Sequence, residues 1–173
     1  MTGAAIRIRP YRPTDVTCLI ALFRDTVRRV NRRRYGPRQV RAWAPETIDV
    51  AAWSQRLTAH TSFVAARGSR VLGFAELAAD GCVDTLYVHA RWQAQGIGSR
   101  LLAAVEAAAR THRLAQLYAA ASLSAEGFFA AHGFRLRRRQ IVELRGVGFR
   151  NAVMIKPLAP PRRPRPGLTW RTA

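Results

Sequence analysis

The stretch that most limits how this chain can fold runs from Asp84 to Glu106, DTLYVHARWQAQGIGSRLLAAVE. Leu86, Tyr87 and Val88 close an apolar, β-favouring run, and Gln93-Ala94-Gln95-Gly96-Ile97-Gly98 follows as a tight turn. Leu101, Leu102, Val105 and Ala109 then recur at helical spacing, so the turn feeds a helix with one apolar face. A helix starting near Gly98 carries unpaired backbone N–H groups and the positive end of its dipole, which together suit an anion. Gly96 and Gly98, lacking a Cβ, permit positive φ and close approach of a phosphate. The same two glycines also suit a plain strand-to-helix connection, and on them alone both readings stand. A dinucleotide fingerprint needs a third glycine and a later acid, and a P-loop needs Gly-Lys-Ser/Thr; the stretch has neither.

With 173 residues, 49% of them apolar, the chain can bury one sizeable core but not two ordinary domains and a linker. No apolar run approaches a bilayer span, and MTGAAIRIRP lacks the apolar centre of a signal peptide, so a cytoplasmic protein with no membrane partner is expected. Cys18 and Cys82 are too few for a disulfide framework or a thiolate metal site; both are expected to be reduced and structural, with no metal bound. The net charge of +19 raises nucleic acid as a partner. Against that, Lys156 is the one lysine, alanine is abundant as a GC-rich coding sequence would make it, and arginine is scattered from Arg7 to Arg171. Nucleic acid is therefore not expected as the main partner.

In chain order, Ile6 to Arg9 reads as a first strand stopping at Pro10. Pro13-Thr14-Asp15 opens a helix carrying Val16, Leu19, Ile20, Phe23 and Val27 on one side, with a basic exit at Arg28 to Arg34. Tyr35 to His60 is a second helical region broken at Gly36-Pro37 and Pro45; its Tyr35, Trp43 and Trp53 suit either core anchors or a ligand pocket. Thr61 to Ala66 and Val71 to Leu77 form a hairpin through Arg67-Gly68-Ser69-Arg70, and Cys82 to His89 is the third strand of the meander. After the long helix come a strand at Leu117 to Ala121 and a helix at Ala125 to His132 stopped by Gly133. A hairpin follows, with arms Gln140 to Arg145 and Phe149 to Lys156 turning at Gly146-Val147-Gly148. Residues 158–173 are Pro- and Arg-rich and read as a flexible tail to a domain of residues 1–157.

Gln93-x-x-Gly96-x-Gly98 directly after Leu86-Tyr87-Val88-His89 closely resembles the acyl-CoA pyrophosphate signature of the GNAT superfamily of N-acyltransferases. SLSAEGFFAAHGF, Ser122 to Phe134, resembles the second half of that signature. Tyr35 to Trp43, Ala121-Ser122-Leu123-Ser124, Arg138-Arg139-Gln140 and Arg145-Gly146-Val147 are in addition similar to the YafP-type group of bacterial acetyltransferases. The resemblance spans about Ile6 to Lys156 and implies an α/β fold, a GNAT-like single domain with a mixed central sheet of about six to seven strands flanked by about four helices.

What the resemblance implies is an acetyl-CoA-dependent N-acetyltransferase acting on a primary amine by direct attack in a ternary complex, with acetyl-CoA and an amine acceptor as partners; a homodimer is open as a further expectation. It implies that Leu86, Tyr87 and Val88 lie along the thioester and pantetheine arm. The N–H groups of Gln93, Ala94, Gln95, Gly96, Ile97, Gly98, Ser99 and Arg100 would take the pyrophosphate, with a hydroxyl from Ser99 and Ser122 nearby. The positive field suits so anionic a cofactor. Asp84 and Glu76 are the candidate bases, Asp84 by alternation on the strand face of Leu86 and Val88; each carboxylate equally suits a partner for an arginine, and His89 lies past the strand end. Where the family carries an asparagine and a tyrosine acid, this chain has Ser122 and Phe129, and phenylalanine has no proton to give. Ser122, Ser124 or Tyr118 could substitute, or the thiolate could leave into solvent. The missing acid keeps open a catalytically weak CoA-binding regulatory or ribosome-associated module.

Overall fold

The computed structural model describes residues 5–158; the proposed tail from 159 onward lies outside the described residues. Seven strands alternate with helices: β1 (Arg7–Pro10), α1 (Val16–Arg29), α2 (Pro37–Trp43), α3 (Val50–Ala59), β2 (Thr61–Arg67), β3 (Arg70–Leu77), β4 (Val83–Val88), α4 (Ile97–Thr111), β5 (Gln116–Ser122), α5 (Glu126–Ala131), β6 (Arg135–Leu144) and β7 (Val147–Pro157). Five α-helices stand where about four were expected, because Ala44 to Asp49 separates α2 from α3 and the Asp49 carboxylate accepts the Ala52 N–H at 3.0 Å to begin a new helix. None of the described helices is long and apolar enough to cross a membrane.

The strands form two antiparallel sheets, β1-β2-β3-β4 and β5-β7-β6. They meet at a parallel bridge between Cys82 and Tyr118, where the Tyr118 N–H donates to Gly81 O at 3.0 Å. Beyond that point β4 and β5 part. Leu101, Leu102, Val105 and Ala109 bury the predicted face of α4 against Leu72, Ala75 and Leu77, and Phe129 of α5 joins the same core with Phe134. On the opposite face Leu19, Ile20, Phe23 and Val27 of α1 pack with Phe74 and Leu57. The result is a three-layer arrangement with α4 and α5 on one side and α1 to α3 on the other.

Several boundaries differ from the sequence reading, the largest at β6, which begins at Arg135 and not at Gln140 because its pairing with β7 runs back to Ile155. Leu144 pairs with Val147 across a two-residue turn, Arg145-Gly146, in which both residues have positive φ (52° and 68°). That turn type matches the twist of the flanking strands, so the chain reverses one residue earlier than the Gly146-Val147-Gly148 spacing suggests. Leu158, assigned to the tail by composition, is 6% exposed in the core and donates its N–H to Ala115 O at 2.8 Å.

The entry to α1 is fastened by Asp15. Its carboxylate accepts two hydrogen bonds from the Arg9 guanidinium, both at 2.7 Å, and the Arg12 N–H at 2.9 Å. The Arg9 hydrogen bonds hold the Asp15 carboxyl below its ordinary pKa despite partial burial. A depressed carboxyl pKa stabilises the fold above the unfolded-state value, about 3.9, and that contribution fades as pH falls through the lower folded value. Asp15→Asn is expected to lower unfolding free energy at neutral pH by about 1–3 kcal/mol and to flatten the acid limb of stability against pH, measured by chemical denaturation.

Candidate active site

A cleft of ≈ 650 Å³ opens where β4 and β5 part. Hydrogen bonding to β3 uses one edge of β4, and the edge facing β5 is left open from Leu86 to Val88. Thr26 of α1 donates its hydroxyl to Val88 O at 3.2 Å, and the Gln93 side-chain amide reaches the same carbonyl at 3.3 Å. Gln93 thus braces the end of the strand with its side chain.

Past His89, a single 3₁₀ turn (Ala90–Trp92) leads to Ala94 and Gly96, both with positive φ (58° and 75°). Gly96 caps α4 in the left-handed conformation, where nothing lies within 4 Å of the position a Cβ would take. The Arg100 N–H already donates to Gly96 O at 3.0 Å, so the N–H groups of Ile97, Gly98 and Ser99 are the ones at the helix start without a helical acceptor. Arg100 therefore drops out of the predicted N–H set, and its guanidinium turns away to Ile6 O at 2.8 Å. Gln93, Ala94, Gly96, Ile97, Gly98 and Ser99 line the cleft. Gly98 is glycine for a reason the sequence does not carry: a Cβ there would stand 3.1 Å from the Phe128 ring and 3.7 Å from Val88.

Asp84 is displaced from its expected face. Glu76 pairs with Thr85 but Leu77 pairs with Val83, which leaves Asp84 as the extra residue of a β-bulge. The bulge breaks the alternation: Val83, Leu86 and Val88 face α4, whereas Asp84 lies 3.9 Å from Arg56 Nε on the α3 side. Its side chain is 40% exposed on the cleft wall. Tyr87 also points to this side, stacked on Phe74 at 5.7 Å and edge-on to Phe23 at 5.1 Å, and burial raises the pKa of its hydroxyl.

Glu76, the other candidate base, is fully buried. Its carboxylate accepts two hydrogen bonds from Arg56 at 3.0 Å and one from Thr85 Oγ1 at 2.7 Å, with His60 Nδ1 at 3.2 Å. It does not line the cleft and acts as an anchor for Arg56. His60, Glu76 and Asp84 approach one another within 4.8 Å, but the Arg56 guanidinium already supplies the cation among them. Tyr118 likewise falls outside the cleft: its hydroxyl donates to Asp80, which raises the hydroxyl pKa. Burial, with Asp84 nearby, pushes the Cys82 thiol up to about 11, so it is no nucleophile at neutral pH; Cys18 is exposed.

Ser122 and Ser124 do line the cleft. The loop carrying them is held by Tyr35, whose hydroxyl accepts the Leu123 N–H at 2.9 Å and donates to Arg150 O at 3.1 Å. Arg56 stands outside the expected set of site residues, although Trp53-x-x-Arg56-x-x-x-His60 places the three on one helical face, and the guanidinium lies 4.6 Å over the Trp53 ring.

The chain matches the Acetyltransferase (GNAT) domain over residues 31–154. The chain belongs to the GNAT family. It is 32% identical over 149 residues to the N-acetyltransferase YafP of Escherichia coli K12, covering 86% of this chain and 94% of that protein. The GCN5-related N-acetyltransferase structure from Rhodopseudomonas palustris superimposes with a TM-score of 0.85 at 30% identity, covering 91% of this chain and 99% of the other. The PaiA N-acetyltransferase of Thermoplasma acidophilum, solved in complex with coenzyme A, shares the fold with a TM-score of 0.74 at 17% identity, over 89% of this chain and 99% of that one. The GNAT fold is thus an α/β domain whose seven strands here divide into the two sheets described.

Two substitutions separate structural from chemical roles. Glu76→Ala leaves Arg56 without its buried partner and is expected to cost about 3 kcal/mol in a denaturant titration, whereas Asp84→Asn, at a half-exposed carboxylate, stays within about 0.5 kcal/mol of the parent. Gly98→Val drives a branched side chain into Phe128 and should lower the unfolding free energy by about 1–3 kcal/mol, read as a fall in Tm.

Proposed function

We propose that the protein transfers an acetyl group from acetyl-CoA to a primary amine by direct attack within a ternary complex. The observation that carries this reading is the open edge of β4 lying between the free N–H groups of α4 on one side and the bulged carboxylate of Asp84 on the other. Membership of the GNAT family supports it, as do relatives solved with coenzyme A and, for YncA of Salmonella typhimurium, with acetyl-CoA.

The residues present fit such a cofactor. The N–H groups of Ile97, Gly98 and Ser99, at the positive end of a fifteen-residue helix, would hold its diphosphate. The backbone edge at Leu86 to Val88 would pair with the amides of the pantetheine arm, and acetyl-CoA supplies an acetyl group activated as a thioester. Asp84 takes the proton from the acceptor ammonium, leaving a neutral nucleophile. Of the expected candidates for protonating the departing sulfur, the Tyr118 hydroxyl is turned to Asp80, which leaves Ser122 and Ser124 on the cleft wall, and Phe129 has no proton to give. Phe23, Trp43, Trp53 and Tyr87 line the acceptor half, which suits an amine borne on an apolar body; the net charge of +19 opposes a polycation.

Phe129 also favours a second reading, a CoA-binding module with little turnover. Thiol release from acetyl-CoA against a panel of primary amines separates the two. Asp84→Asn is expected to reduce acceptor-dependent kcat/KM by about 10²–10⁴ while CoA affinity is unchanged. CoA binding by the wild type with no acceptor-dependent thiol release would favour the module.

A further inference from the structure

His132 stands at the end of α5 and bridges two elements of the site. Its Nδ1 lies 2.8 Å from Phe128 O, and its Nε2 lies 2.9 Å from Ser99 Oγ on the first turn of α4. A carbonyl oxygen can only accept, so Nδ1 carries a proton in either charge state of the ring. In the neutral ring Nε2 is therefore bare and can only accept, and the one hydroxyl proton of Ser99 is directed to it. Ser99 then presents lone pairs, not a donor, to an anion at the helix start. Protonation at Nε2 reverses the bond: the ring donates to Ser99 Oγ, and the hydroxyl proton is released for an anionic oxygen. The Phe128 ring, 4.3 Å from the His132 ring and against Gly98, fixes the imidazole in this position.

We propose that His132 is a positioning residue whose protonation sets the direction of the Ser99 hydrogen bond and so couples diphosphate binding to uptake of one proton. The inference rests on the acetyl-CoA reading above. The charged groups at this corner are already engaged elsewhere. Lys156 of β7, whose ammonium lies 3.9 Å from where a Gly133 Cβ would stand, pairs with Glu106 of α4 at 2.5 Å. Glu126 at the start of α5 pairs with Arg139 of β6 at 2.6 Å, and Arg100 is drawn to Ile6 O. The arriving diphosphate is thus the new charge that the His132 cation meets. By reciprocity, a ligand that favours the protonated ring binds more tightly as the ring is protonated. Affinity therefore rises as pH falls.

Dephospho-CoA is the suitable probe, because it keeps the diphosphate and lacks the phosphomonoester, which itself titrates near about pH 6. Calorimetric titration of the full chain with dephospho-CoA, in buffers of different ionisation enthalpy, should show proton uptake and affinity tightening on the order of tenfold from about pH 8 to about pH 5.5. His132→Gln should bind with a pH-independent affinity close to the wild-type value at high pH, and Ser99→Ala should lose most of the pH gain; circular dichroism checks that each is folded. Wild-type affinity that is flat with pH, or undiminished proton uptake in either folded variant, would overturn the coupling. A wild type that binds dephospho-CoA at no pH overturns the acetyl-CoA reading itself.

Discussion

The site depends on the parting of two parallel neighbours. Cys82 and Tyr118 bridge β4 to β5, and no further pairing between these strands follows among the described residues. Each strand is satisfied on its other edge, β4 by β3 and β5 by β7, so the gap costs the sheets nothing on those sides. It leaves a row of backbone donors and acceptors facing open space inside the molecule, where a ligand carrying amides can complete the sheet. The helix start of α4 and the loop of Ser122 to Ser124 stand at opposite walls of that gap because each is the direct continuation of a parting strand.

Charge is distributed around the gap by burial. Glu76 and Asp84 are both carboxylates on adjacent strands, within reach of the same arginine. Glu76 is enclosed and takes a bidentate bond from Arg56; Asp84 keeps a single longer contact and an exposed face. A buried carboxylate must be paired, so Arg56 is committed to Glu76 and cannot fully quench Asp84. The division of labour follows from that commitment: one carboxylate fastens α3 to the sheet and the other is available to a ligand.

Much of the architecture is legible along the chain. The apolar periodicities of α1 and α4, the turn between β2 and β3, and the Gly133 stop after α5 all appear as local patterns, because each is set by residues within a few positions of one another. The six cleft-lining residues among Gln93 to Ser99 were legible for the same reason: a strand, a glycine-bearing turn and a helix are contiguous in sequence. Asp84 shows where local reading fails. Alternation puts it with Leu86 and Val88, and a bulge set by the register against β3 puts it opposite Arg56. Tyr118 fails similarly, since its partner Asp80 is 38 residues away and the hydroxyl's direction is decided by that contact.

The sequence by itself determined the order of elements, the position of the helix start, and the absence of a tyrosine at Phe129, since these are properties of neighbouring residues and of composition. Tertiary structure alone decided which carboxylate faces the cleft, that Gly98 makes room for Phe128, and that Ser99 answers to His132. Those outcomes turn on contacts between residues 20 to 33 positions apart, such as Arg56 with Glu76 and Ser99 with His132. Such contacts exist only once packing has brought the elements together, and no local pattern encodes the ångström-scale distances that decide them.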